Sequence, residues 1–139
     1  MICLVYVSSA IRGLSNDDIN RIVMASEVSN KILNITGLLL YKGGNFMQLI
    51  EGESNIIHKL YIKIENDIRH TGMITLLSEN ITHRNFENWS MGYQNIDSLM
   101  GNEREVIKPF IMGEFDSEIY RKNPYRALAL LKAFKKNMR

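Results

Sequence analysis

The chain has 139 residues, of which 45% are hydrophobic and 23% charged, with a formal net charge of +2. That leaves room for one domain with a real core but not two, and it excludes a disordered chain. The small net charge, with basic residues scattered until the C-terminus, speaks against a nucleic-acid binder, which would gather Lys and Arg on one face.

Cys3 is the single cysteine, so an internal disulfide and a thiolate metal cage are excluded. His58, His70 and His83 lie far apart without metal-ligand spacing. No apolar run has the length of a membrane span, and the first residues enter a strand pattern with no basic leader region. A cytoplasmic protein is the expectation.

The segment "ICLVYVS" is β-branched and aromatic with almost no charge, which predicts a strand covered on both faces. "LSNDDINRIVMASEVSN" then switches to helical spacing. Ser15 with Asp18 forms a capping-box start, and Asp17 and Asp18 suit the positive end of the helix dipole. Its apolar stripe runs through Ile19, Ile22 and Val23, and Asn30 falls on the same face.

"ITGLLLY" and "NFMQLIEG" are two further strands joined by Lys42-Gly43-Gly44, a hairpin signal because glycine takes the positive φ such turns need. A second helix, capped by Ser54, carries Ile57, Leu60, Tyr61, Ile64 and Ile68 and ends near Gly72. "MITLLSENI" predicts a fourth strand and "NWSMGY" a fifth. The order β-α-β-β-α-β-β suits an α+β fold: a ferredoxin-like sandwich with a mostly antiparallel sheet and two helices on one face.

"NPYRALALLKAFKKN" predicts an amphipathic helix with Asn123 at the cap, Pro124 in the first turn, and Tyr125, Leu128, Leu131 and Phe134 in line. Since two helices already cover one sheet face, C-terminal helices packed on the other face are expected. The division is a domain over residues 1–96 with a helical extension over 97–139.

Several residues do not fit a plain core. Period-two alternation puts Ile2, Leu4, Tyr6 and Ser8 on one face of the first strand, and Phe46, Gln48 and Ile50 on one face of the third. Tyr6 and Gln48 then meet inside the sandwich. Either they satisfy one another, the simpler reading of the pattern, or the free Gln NH2 serves a ligand with carbonyl or ring-nitrogen acceptors.

Asn30 is by the same reasoning a C-terminal cap, an exposed polar position, or a second inward amide. Lys63, Asp67, Arg69 and His70 gather at the end of the second helix. They are a solvated surface, with Lys63 and Asp67 as an i,i+4 pair, or cations for a phosphate. Trp89, Met91 and Tyr93 alternate onto one side of the last predicted strand, as core or as a re-packable edge.

Taken together, "LVYVSSA", "NKILNITGLLLYKGGNFMQLIEG", "IENDIRH" and "RNFENWSMGY" resemble a BLUF domain, the flavin-binding blue-light sensor, over about residues 1–94. The short tail is similar to that of stand-alone members with helices after the domain and no fused enzyme. The resemblance implies FAD held non-covalently between the two sandwich helices and edge-on to the sheet. It implies that Tyr6 is the light-driven electron and proton donor and that Gln48 sits between Tyr6 and the flavin N5/O4 edge.

The same resemblance has Asn30 bond the flavin carbonyls, with Ile22, Ile64 and Phe46 near the ring. Lys63, Asp67, Arg69 and His70 fall toward the ribityl-phosphate side or the polar edge, and Trp89 and Met91 respond to the Gln48 rearrangement. Lys63 stands where many members carry Arg, which keeps the charge but weakens bidentate phosphate binding. Ser29, before Asn30, varies in the family.

The output expected is a downstream signalling protein met through the C-terminal helices, with a homo-oligomer also open and no enzyme activity. Lys132, Lys135, Lys136 and Arg139 are an acidic partner's surface or a solvated last turn. The alternative to a photosensor is a ligand-free or nucleic-acid-binding ferredoxin-like interaction module. An RRM-like sheet would need stacking aromatics and basic residues where Val5, Val7, Met47 and Leu49 stand. A small hydrolase would need a nucleophile–base pair or a Gly-rich phosphate loop, and neither is present.

Overall fold

The computed structural model describes residues 1–111, 113–115 and 118–137. The strands are β1 (Ile2–Ala10), β2 (Thr36–Lys42), β3 (Asn45–Gly52), β4 (His70–Asn80) and β5 (Gly92–Asn95). The helices are α1 (Asn16–Leu33), α2 (Ser54–Glu65), α3 (Gly101–Ile107), α4 (Glu118–Lys122) and α5 (Pro124–Asn137). The sheet order is β4-β1-β3-β2-β5, antiparallel throughout except for β5, which runs parallel to β2. The fold is the ferredoxin-like α+β sandwich expected from the element order.

Alternation along the strands divides the core in two. Ile2 and Leu4 of β1, Leu39 of β2, and Phe46 and Ile50 of β3 pack under α1 and α2, against Ile19 and Ile57. Cys3, Val5, Val7, Leu38, Leu40, Met47 and Leu49 point the other way and meet Leu130, Leu131 and Phe134 of α5. Each such fully buried side chain contributes about 1.5–3 kcal/mol of apolar transfer. The C-terminal helices therefore occupy the face that an RNA-binding sheet would leave open.

Local signals set several boundaries. The Ser15 hydroxyl accepts from the Asp18 amide at 3.1 Å and the Asp18 carboxylate accepts from the Ser15 amide at 3.0 Å, completing the capping box. Gly43 and Gly44, with φ of +56° and +84°, form the two-residue turn of the β2–β3 hairpin. The C-cap of α1 is Asn34 in the left-handed conformation, not Asn30.

Several expectations are corrected. The N-cap of α2 is Glu53, with Ser54 already helical. The helix ends at Glu65, where Asn66 turns its amide back onto the Ile62 carbonyl at 2.9 Å, so Ile68 lies outside it and is 86% exposed. Gly72 is no helix terminator: it sits within β4 at positive φ, beside the register shift between Val7 and Ser9, where a bulge needs that conformation.

The last strand begins at Gly92, not Asn88, because residues 86–89 turn, with the Trp89 amide bonded to the Phe86 carbonyl. Tyr125 faces solvent, its hydroxyl donating to Glu79 at 2.8 Å, while Ala127, Leu130, Leu131 and Phe134 bury α5. Arg139 lies outside the described residues. No helix among the described residues is long and apolar enough to cross a membrane.

Candidate functional site

The central strands bring the odd polar residues together. Tyr6 on β1 and Gln48 on β3 are direct register partners, and both are buried. The Tyr6 hydroxyl donates to Gln48 Oε1, which orients the amide so that Nε2 points toward Met91 and donates to its Sδ at 3.3 Å. A thioether is a weak acceptor, so the amide NH2 retains most of its donor capacity.

These groups open on a cavity of about 200 Å³ between α1 and α2. Asn30, 2% exposed, reaches it from α1 and is held by a bond from Nδ2 to the Ser90 carbonyl at 2.9 Å. Ile22 of α1, Ile64 and Leu60 of α2, and Phe46 and Leu39 of the sheet supply apolar walls. Ala25, Ser26 and Ser29 are small side chains that leave room along α1.

Lys63, Asp67, Arg69 and His70 lie at the same cavity. Asp67 pairs with Arg69, whose guanidinium donates to both carboxylate oxygens, and not with Lys63. Those bonds hold the Asp67 carboxyl below its usual range and raise Arg69. His70 donates from Nε2 to the Ile64 carbonyl at 2.5 Å, which fixes its tautomer, and its ring lies 6.3 Å from that of Tyr6. Burial first, then the nearby Tyr61 and Asp67, push the Tyr6 phenol well above its ordinary pKa. The hydroxyl is therefore a firm donor at neutral pH.

Trp89 and Met91 part company. Met91 lies with the α1/α2 core and lines the cavity, whereas Trp89 packs on the α5 side, its ring 5.6 Å from Phe86. They do not share a face as the alternation suggested, since both precede β5 and the chain there is not extended strand.

One residue escaped the sequence reading. Glu51, fully buried at the end of β3, accepts from Thr36 Oγ1 and the Phe86 amide on one oxygen, and from the Asn85 amide and side chain on the other, at 2.7–3.2 Å. Arg84 adds bonds to Thr36 Oγ1 and to the carbonyls of Glu51 and Asn34. This clamp holds the chain leading to Trp89 and Met91. The sequence signal for it is a carboxylate near the end of a largely apolar strand.

The cavity thus combines apolar walls, two inward amides and cationic side chains at one end. Such a donor set fits a flat heteroaromatic ring with carbonyl acceptors and an anionic tail, the chemistry of a flavin nucleotide. Residues 1–92 match the family model described as BLUF, sensors of blue light using FAD. The chain belongs to the BLUF family, flavin-binding blue-light sensors.

It is 41% identical over 73 residues to photoactivated adenylate cyclase subunit beta of Euglena longa, a stretch that is 52% of this chain and 8% of that protein. Among solved structures, the dark state of the BLUF protein BlrB is 31% identical, with a TM-score of 0.75 over 92% of this chain and 94% of the other. A bacterial light-regulated adenylyl cyclase is 36% identical, with a TM-score of 0.74, over 93% of this chain and 35% of that one. The chain spans under a tenth of the length of the curated relatives it matches.

Proposed function

We propose that this chain is a blue-light photoreceptor that binds FAD non-covalently in the α1/α2 cavity, performs no turnover, and reports light through a changed protein–protein contact. The observation that carries this reading is the hydrogen-bond chain from Tyr6 through Gln48 to Met91, ending at the cavity wall. Asn30 would hold the carbonyl side of the ring. Ile22, Ile64 and Phe46 would sandwich it, and Lys63, Arg69 and His70 would meet the polar edge or the phosphates, with Asp67 fixing Arg69.

When bound, the flavin supplies a light-excited electron acceptor. Tyr6 is then asked for an electron and a proton. Its phenol holds the proton firmly in the dark, and loss of an electron makes a phenol strongly acidic. Gln48 is suited to relay the proton because one amide both accepts from Tyr6 and donates onward. It returns from the cycle rearranged, by rotation or tautomerisation, with its bond to Met91 changed. A donor that Gln48 newly turned toward a bound ring would red-shift its absorption.

A hydrogen-bond change alone is small, so it needs a bistable element. Met91 is the neighbour that first feels Gln48, and Trp89, two residues away, is set in the α5-side core. An exchange of their positions would carry the change to residues 97–139, which we take as the cap and output surface for a downstream protein.

The experiment is an absorption spectrum. Purified protein should be yellow with FAD released on denaturation, and blue light should give a reversible red shift. A colourless protein that takes up no flavin rules the function out.

A further inference from the structure

The outer face of α1 is unlike that of a solvated helix. Met24, Val28 and Ile32 are 68%, 65% and 79% exposed. They follow at four-residue intervals, so their side chains form one continuous ridge along the helix. The attachment of α1 to the sheet uses the other side, where Ile19 and Asn30 are buried. Single exposed apolar residues are ordinary, but a contiguous row marks a contact surface.

We propose that this ridge is a contact between two copies of the chain, with α1 packed antiparallel on α1 about a two-fold axis at Val28. A ridge of i±4 residues packs into the groove beside a ridge of the same kind, and two-fold symmetry makes one patch its own partner. Val28 then meets Val28 of the other copy, and Met24 of each meets Ile32 of the other.

The flanking charges choose the occupant. Glu27 and Lys31 stand side by side along the ridge, exposed, and among the described residues neither has an ion-pair partner. Reversal of one helix about Val28 places Lys31 of each copy within reach of Glu27 of the other, twice. An acidic or a basic foreign helix would match only one of these charges. A second copy matches both.

Three apolar residues and two charges a side are far fewer than the roughly 20–30 residues per partner of a stable interface, so the dimer is concentration-dependent. It lies on the back of the helix that presents Ile22 and Asn30 to the cavity.

The test is sedimentation with site-specific cross-linking. The unaltered chain should show a mass rising with concentration above that of the monomer, and Val28→Glu, on an exposed site where folding is checked by circular dichroism, should remain monomeric. Because Cys3 is buried, a thiol introduced by Val28→Cys reports alone. It should give a disulfide-linked dimer under mild oxidation faster than Lys59→Cys on the surface of α2. Glu27→Lys should weaken the dimer several-fold, and Lys31→Glu added to it should restore it. A chain still monomeric at about 1 mM, where even weak specific contacts register, overturns the proposal. So does a dimer indifferent to Val28→Glu, an unreactive Val28→Cys, or a double charge reversal that fails to restore the contact.

Discussion

Tyr6 and Gln48 face one another across the β1–β3 ladder, and the phenol hydroxyl donates to the amide oxygen. Because that bond uses the oxygen, the amide nitrogen is committed to the other direction, toward Met91 and the cavity. The orientation of the proposed switch is therefore set by a strand register.

Tyr6→Phe removes the donor and leaves Gln48 Oε1 buried without it, at a cost of about 1–3 kcal/mol. The variant should fold and bind flavin but show no light-induced red shift, and Gln48→Ala should behave likewise. A normal photocycle in either variant, followed by difference absorption, would refute the roles given to these residues.

Met91→Leu keeps the volume but takes away the sulfur that accepts from Gln48 Nε2. The amide should then reorient in the dark, shifting the dark absorption spectrum while stability changes by less than about 1.5 kcal/mol. An unshifted dark spectrum with an unchanged photocycle would show that the thioether does not hold the amide.

Glu51→Leu strands the donors of Thr36, Asn85 and Phe86 in the interior. Loss of one partner of a buried charged network is worth roughly 3–5 kcal/mol, so the urea midpoint should fall sharply. The fluorescence of Trp89, the single tryptophan, should move toward a wetter environment before global unfolding. Coincident transitions by fluorescence and far-UV circular dichroism would show that the clamp does not act locally on the Trp89 segment.

A methyl group at Gly92 would lie 2.4 Å from the Trp89 ring and 2.9 Å from Leu38. Gly92→Ala should therefore displace Trp89 from its seat without touching the cavity lining, and Trp89 fluorescence should shift while flavin affinity holds. Unaltered fluorescence would mean that β5, not the ring, gives way.

Alkali should destabilise the fold. Burial raises the Cys3 thiol from 9.0 to about 12 and the Tyr93 phenol from 10.0 to about 12, and it raises Tyr6 further. Folded pKa values above the unfolded ones mean that the folded chain binds more protons in this range. The contribution is complete below about pH 9 and is lost as pH rises toward 12. Asp67 acts with the opposite sign, its contribution being lost as pH falls through the carboxylate range. Urea midpoints measured from neutral to alkaline pH should fall steadily above about 9; a flat profile would contradict the burial of these groups.

Local chemistry was enough for much of the fold. The Ser15 capping box, the Gly43-Gly44 hairpin and the alternation of β1 and β3 each involve residues a few positions apart, so they could be read without tertiary contacts. Spacing alone extends the second helix too far, because Ile68 continues its period and Gly72 resembles a terminator. Its true end is made by the Asn66 side chain bonding back to the Ile62 carbonyl, and Gly72 serves a bulge against β1. Alternation puts Trp89 and Met91 on one face because it presumes an extended strand. Glu51 clamps residues 85 and 86, and Gly37 takes the Trp89 carbonyl at 2.9 Å, so the chain turns instead.

Composition and periodicity alone determine an α+β sandwich with Tyr6, Gln48 and the apolar walls directed inward, because strand and helix periods decide which face a side chain takes. Whether those polar groups satisfy one another or serve a cavity is a matter of distances between elements far apart in the chain. Tertiary packing sends Asn30 to the Ser90 carbonyl, Asp67 to Arg69 instead of Lys63, and Met91 instead of Trp89 to Gln48. It also leaves the Met24–Val28–Ile32 ridge bare, since only the assembled sandwich shows which side of α1 the sheet does not use.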